Sequence, residues 1–151
     1  MTDKQVLAAA IKKHGWVKQA EPGKPFLLAS GKTSEIYVDL RPAILSTRYV
    51  HLVLVPMVQA LAPILRTDLI LCGVTMSGLP LVGSLLHRLS GISVEVSSCV
   101  ARTNERDHGM MRKVEGDVLP GQEVLVIDDV ATSGTSIMKT VNVLRQHGLV
   151  V

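Results

Sequence analysis

The chain has 151 residues, a formal net charge of +3, 47% hydrophobic residues and 19% charged ones. That length supports one domain with a real core, and that balance excludes a disordered chain. Its four aromatic residues, Trp16, Phe26, Tyr37 and Tyr49, are too few for the stacking platform of a single-strand nucleic-acid binder, and the modest charge suits a small anionic ligand better than a polynucleotide.

Residues 3–14 carry apolar Val6, Leu7, Ala10 and Ile11 with Gly15 behind them, which predicts a short amphipathic helix with a glycine stop, and not a signal peptide. Glu21-Pro22-Gly23-Lys24 predicts a turn. Phe26 to Leu28 and Ile36 to Leu40 predict short strands on either side of the polar turn Ser30 to Ser34. Ser46 predicts the cap of a helix running to about Leu65 and kinked at Pro56. The apolar stretch Leu52 to Leu65 carries Gln59 and two prolines and is too short to span a bilayer.

From there the pattern changes. Leu69 to Val74 and Val124 to Ile127 are continuous apolar runs, predicted as strands buried on both faces of a parallel sheet. Ile92 to Val100 is a third strand. Helices are predicted from about Leu79 to Leu89 and from about Ser136 to His147, closed by Gly91 and Gly148. Leu149-Val150-Val151 starts one more strand. Strand–helix alternation without a repeat or linker predicts a single domain, 1–151, of α/β class with a doubly wound, mostly parallel sheet. Cys72 and Cys99 lack metal-ligand spacing and are expected to be buried thiols of a cytoplasmic protein.

The most informative segment is Val124-Leu125-Val126-Ile127-Asp128-Asp129-Val130-Ala131-Thr132-Ser133-Gly134-Thr135-Ser136. A buried strand ends in two carboxylates, a loop of small hydroxyl residues follows, and then a helix begins. Ligands of open α/β sheets bind beyond the carboxyl ends of the strands. The loop Thr132 to Ser136 would aim N–H groups and hydroxyls at one point on the positive end of a helix, a site for a phosphate. Gly134 lets the backbone bend close to it. Two carboxylates repel a phosphate, so Asp128 and Asp129 need neutral hydroxyls one sugar-length away. A ribose 5-phosphate meets both demands.

Two decoys fall away. Gly31-Lys32-Thr33-Ser34 resembles the end of a nucleotide-binding glycine loop, but the required first glycine falls at Phe26 and no helix follows. The run into Asp128-Asp129 also resembles the acidic pocket of a phosphorelay receiver, but too few residues follow it to complete one.

The Asp-Asp strand end followed by Thr-Ser-Gly-Thr-Ser is similar to the phosphoribosyl pyrophosphate (PRPP) motif of type I phosphoribosyltransferases. Three further segments resemble the orotate branch of that family. Phe26-Leu-Leu-Ala-Ser-Gly-Lys-Thr-Ser-Glu-Ile-Tyr-Val-Asp-Leu-Arg41 looks like its N-terminal signature. Cys72-Gly-Val-Thr75-Met76-Ser77-Gly78-Leu-Pro80 looks like its pyrophosphate loop. Arg102-Thr103-Asn-Glu-Arg106-Asp-His108-Gly109, followed by Val114-Glu115-Gly116, looks like its mobile catalytic loop. The departures are Ala29, Met76-Ser77, Thr103 and Arg106, each where the family often has another residue, lysine in most cases. The sequence ends at Val151, where the resemblance implies a further strand and an arginine for the orotate carboxylate.

The resemblance implies a small N-terminal hood over residues 1–45, a PRPP-binding core over 46–151, and transfer of the phosphoribosyl group to orotate with Mg²⁺ bound alongside PRPP. Asp128 and Asp129 would orient the ribose. Thr132 to Ser136 would grip the 5′-phosphate, with Val130 and Ala131 between. Thr75 to Gly78 would take the diphosphate, and Arg102, Arg106 and His108 would neutralise it as it leaves. Tyr37, Ser30 and Gly31 would face the base. No metal is expected to bind protein side chains directly. A lid at residues 103–115 would serve the neighbouring subunit of a homodimer. Two other functions stay open at this point: a non-catalytic PRPP-binding regulatory or assembly module, and a transferase for another base.

Overall fold

Thr2 starts the fold. Its hydroxyl accepts from the Gln5 N–H while the Gln5 side chain accepts from the Thr2 N–H, a reciprocal cap that fixes helix α1, Asp3–Lys13. Gly15, at a φ of +67°, ends it. The computed structural model describes residues 2–28, 31–91, 94–103 and 113–151. Within these the chain forms two compact units, residues 1–59 and 60–151.

In the first unit, strand β1, Val17–Gln19, pairs antiparallel with β4, Ile36–Val38, while β2, Phe26–Leu27, pairs with β3, Thr33–Ser34. Thr33 and Ser34, expected in a turn, form a strand, and β1 lies where no element was predicted. Strands of two or three residues carry almost no periodic signal. Trp16 is buried, and its carbonyl accepts from the Asp39 N–H at 2.8 Å. Helix α2, Arg41–Ile44, opens with Pro42 in its first turn. Helix α3 runs Val50–Leu61 with Pro56 inside it. It begins three residues later than a cap at Ser46 predicts: the Ser46 carbonyl, not its side chain, receives the Val50 N–H at 2.8 Å.

The second unit holds a four-stranded sheet in the order β7-β6-β5-β8. Its strands are β5, Leu69–Gly73; β6, Val96–Ala101; β7, Val114–Glu115; and β8, Val124–Ile127. β5 lies parallel to both β6 and β8, and β7 is antiparallel to β6. Helix α4, Thr75–Leu89, links β5 to β6, and α5, Thr135–Gln146, follows β8. The crossover from β5 through α4 to β6 is the βαβ unit the apolar runs predicted. All five residues of β5 are buried, and each large side chain there contributes about 1.5–3 kcal/mol of apolar burial. β8 is buried only at its ends, Val124 and Ile127. Beyond it the chain adds a parallel bridge from Glu123 to Val150, so the last three residues do begin a strand-like pairing. Ile70, Cys72, Cys99, Val114, Val124, Leu144 and Leu149 form one buried cluster.

Cys72 and Cys99 face each other across β5 and β6. Both are free and buried, as expected. The hydrogen bond with Cys72 and burial hold the Cys99 thiol protonated, well above the ordinary range.

Candidate active site

The carboxyl ends of β5 and β8 emerge side by side, because Gly73 pairs with Ile127 in the ladder. The first residues beyond β8 are Asp128 and Asp129. Their carboxylates are partly buried, and the Asp129 N–H donates to Asp128 Oδ1 at 3.0 Å. Burial, reinforced by the neighbouring Asp129, pushes the Asp128 carboxyl up to about 6.

The loop Val130 to Gly134 then turns into α5. Gly134 takes a left-handed φ of +74° as the residue before the helix, the role its position predicted. The first bond of the α5 ladder runs from the Met138 N–H to the Gly134 carbonyl at 2.8 Å. The N–H groups of Thr135, Ser136 and Ile137 precede that ladder, and the Thr135 N–H donates to Ser133 Oγ at 3.4 Å. Ser133 and Thr135 share a hydroxyl contact of 2.9 Å, which ties the loop to the helix start. Thr132, Ser133, Thr135 and Ser136 are exposed. This loop and helix start are the segment expected from the sequence to hold a phosphate, since a helix N-terminus favours an anion.

On the neighbouring strand the geometry is tighter than the sequence suggested. Helix α4 begins at Thr75, not near Leu79, so Thr75, Met76, Ser77 and Gly78 form its first turn and Pro80 lies inside it. Gly73 and Gly78 pack backbone to backbone: a Cβ on Gly73 would lie 2.3 Å from the Gly78 carbonyl oxygen. The Val74 N–H donates to the Ile127 carbonyl at 2.9 Å. Ser77 Oγ donates across the gap to Asp129 Oδ1 at 2.9 Å. The two loops therefore form one contact surface. Sequence reasoning placed Ser77 and Gly78 in the site but missed their direct link to the β8 end. The only local signal for it was a glycine on each side of the turn.

Arg102 ends β6. Its backbone N–H donates to the Lys113 carbonyl at 2.8 Å and its guanidinium pairs with Glu115 on β7. Arg106, His108 and Ser30 lie outside the described residues, as does most of the expected lid. Tyr37 and Gly31 belong to the first unit. The Tyr37 ring lies 5.5 Å from Phe26, and its hydroxyl accepts a long 3.5 Å contact from Arg41. Gly31 turns at a φ of +78°. Asp39, overlooked as a candidate, is buried and accepts from Arg41 Nε at 2.7 Å and from its terminal nitrogen at 3.0 Å. That guanidinium holds the Asp39 carboxyl below the usual range. The pair fixes the strand end just after Tyr37.

A cleft of about 730 Å³ opens at the other end of the sheet, lined by Asp68, Leu86, Leu89, Ser90, Glu95 and Gln122 among others. It contains none of the expected site residues. Strand-end chemistry in this fold class sits at the carboxyl edge, where Asp128 lies.

Residues 58–150 match the phosphoribosyl transferase domain family. The chain is 35% identical to the orotate phosphoribosyltransferase of Aeropyrum pernix over 97% of its own length and 74% of the relative's. It is 33% identical to that of Aquifex aeolicus over 99% of its length and 79% of the relative's. The crystal structure of the Aeropyrum pernix protein superposes with a TM-score of 0.68 at 34% identity, covering 96% of this chain and 76% of that one. The chain belongs to the orotate phosphoribosyltransferases.

The raised Asp128 carboxyl gives a pH prediction. Between the ordinary value of 3.8 and about 6, the native state holds a proton that the unfolded chain has already lost. Stability therefore falls as pH rises through that window. Binding runs the other way, because a sugar hydroxyl donates best to the ionised carboxylate. The expected profile of kcat/KM for PRPP has an acidic limb near pH 6, the free-enzyme value, and Asp128→Asn removes that limb. A limb that persists unchanged in Asp128→Asn assigns it to another group.

Proposed function

We propose that the chain transfers the phosphoribosyl group of PRPP to orotate, giving orotidine 5′-phosphate and diphosphate. The observation that carries this reading is the placement of Asp128-Asp129 at the carboxyl end of β8, followed by a loop that turns at Gly134 into the N-terminus of α5. The 5′-phosphate sits on that loop, Thr132 to Ser136. Asp128 and Asp129 accept from the ribose hydroxyls. The diphosphate lies over the first turn of α4, Thr75 to Gly78. The orotate nitrogen, its proton lost to solvent, attacks C1 of PRPP, and the C1–O bond breaks with its electron pair passing to diphosphate. Positioning and charge stabilisation supply the rate. Arg102, Arg106 and His108 neutralise the departing diphosphate, and Tyr37, Ser30 and Gly31 face the base.

Mg²⁺ suits this donor set as a partner of PRPP. Mg²⁺ keeps oxygen and water ligands and needs few protein carboxylates, so its ligands come chiefly from the diphosphate, the ribose and water. When bound it supplies charge neutralisation on the diphosphate. A homodimer in which the loop around Arg106 reaches the neighbouring site completes the reading, in the cytoplasm. No helix among the described residues is long and apolar enough to cross a membrane.

The test is a direct assay of orotidine 5′-phosphate from orotate, PRPP and Mg²⁺. Wild type is expected to turn over. Arg106→Ala should lose about 10²-fold, the size of one preorganised transition-state contact, while Arg106→Lys keeps activity because the loop needs its charge. A wild type whose thermal midpoint rises with PRPP but that makes no product, with Arg106→Lys/Thr103→Lys also inactive, overturns the enzyme reading in favour of a PRPP-binding module.

A further inference from the structure

Ser77 occupies the third position of α4, where a serine hydroxyl commonly serves its own helix end. Here the cap residue of α4 is Val74, with no side-chain cap bond, and the Ser77 hydroxyl crosses instead to Asp129 Oδ1, 2.9 Å away and 52 residues on in sequence. The approach rests on backbone contact. A Cβ on Gly78 would lie 2.8 Å from the Gly73 carbonyl carbon and 3.1 Å from the Ile127 carbonyl oxygen. Only a glycine pair lets the first turn of α4 sit this close to the end of β8.

A serine hydroxyl has one proton to give. Given to Asp129, it is not available to a phosphate oxygen. We infer that Ser77 is a positioning residue for the ribose-binding carboxylates and not a donor to the diphosphate: it fixes Asp129 Oδ1 and leaves Oδ2 to accept from a sugar hydroxyl. This rests on the PRPP reading above and assigns Ser77 within it. One consequence distinguishes it from a packing role: its effect passes entirely through Asp129.

The matched pair Ser77→Thr and Ser77→Val tests this, since the two side chains share a shape and differ in the hydroxyl. Ser77→Thr is expected to keep KM for PRPP within about threefold of wild type. Ser77→Val should raise it about tenfold or more, the loss typical of one hydrogen bond to a charged group, with kcat changed far less. In an Asp129→Asn background, Ser77→Val should add less than about twofold, because a pair acting as a unit is non-additive. Inhibition by inorganic diphosphate should be the same in Ser77→Thr and Ser77→Val. Three results overturn the assignment: a Ser77→Val matching Ser77→Thr in KM, an effect that persists undiminished in Asp129→Asn, or a weakened diphosphate inhibition. A wild type with neither turnover nor a thermal response to PRPP overturns the underlying reading together with it.

Discussion

PRPP with Mg²⁺, at about a hundred times its dissociation constant, is expected to raise the thermal midpoint of the wild-type chain by roughly 5–10 °C, and to leave Asp128→Asn/Asp129→Asn unmoved. A ligand that binds only the native state stabilises it by about 2.7 kcal/mol at that excess. For a chain of this size each kcal/mol moves the midpoint by roughly 2–4 °C. The double variant should fold. Both carboxylates lie at a strand end, and the burial that pushes Asp128 up to about 6 penalises the charge and not the shape. Removing two neighbouring charges should leave the midpoint without ligand at or above the wild-type value near pH 8. What disappears is the acceptor pair for the ribose. A double variant that responds to PRPP like wild type would place the ribose elsewhere.

Gly73→Ala carries the other large expectation. Its added Cβ would meet the Gly78 carbonyl oxygen at 2.3 Å, its carbon at 2.4 Å and the Leu79 nitrogen at 2.8 Å. All three are backbone atoms at the start of a helix, so no side chain can rotate away. Ordinary overpacking costs about 1–3 kcal/mol, and a clash with backbone alone belongs at the top of that range or above it. The expected result is a midpoint lower by roughly 6–12 °C, with turnover down at least about 10²-fold as the first turn of α4 leaves β8. Gly83 supplies the control. It lies inside the same helix with nothing within 4 Å of a Cβ, so Gly83→Ala should gain about 0.5–1 kcal/mol from helix propensity. Equal stability in the two variants, by urea unfolding, would dismiss the close approach.

The core of this fold was legible where periodicity is strong. The runs at Leu69 and Val124 became β5 and β8, and the helix after Ser136 appeared within a residue of its predicted bounds. Gly15, Gly134 and Gly148 all adopt the positive φ that their places after or before helices predicted. The first unit was legible in part: α1, β2 and β4 begin where the sequence predicted them, while β1 and β3, of two or three residues each, carry no periodic pattern. β7 was missed for the same reason. It owes its existence to Val100 and Ala101 across the ladder.

In the candidate site, Asp128-Asp129 and the loop to Ser136 could be found from residue types alone, since their chemistry is local. Ser77 could be placed near an anion but not on Asp129. That contact depends on which strand lies next to which, and strand order leaves no trace in the immediate sequence. Nor could the Asp39–Arg41 pair be separated from its neighbours in the N-terminal signature, although an aspartate two residues before an arginine is the local hint it left.

The ladder register of β5 and β8 has a metric consequence. Paired strands sit about 4.8 Å apart, and Gly73 faces Ile127 at the last rung before both loops. In the proposed reading the two anionic ends of the substrate hang from adjacent strands, so their separation is set by a row of main-chain hydrogen bonds. A sheet is stiff along that direction. On that reading the backbone would act as a fixed gauge for the sugar between the two anions, and a ligand longer or shorter by one carbon would be expected to bind more weakly. Selection against the wrong chain length would come from the backbone, and surface substitutions around the loops would leave it unchanged.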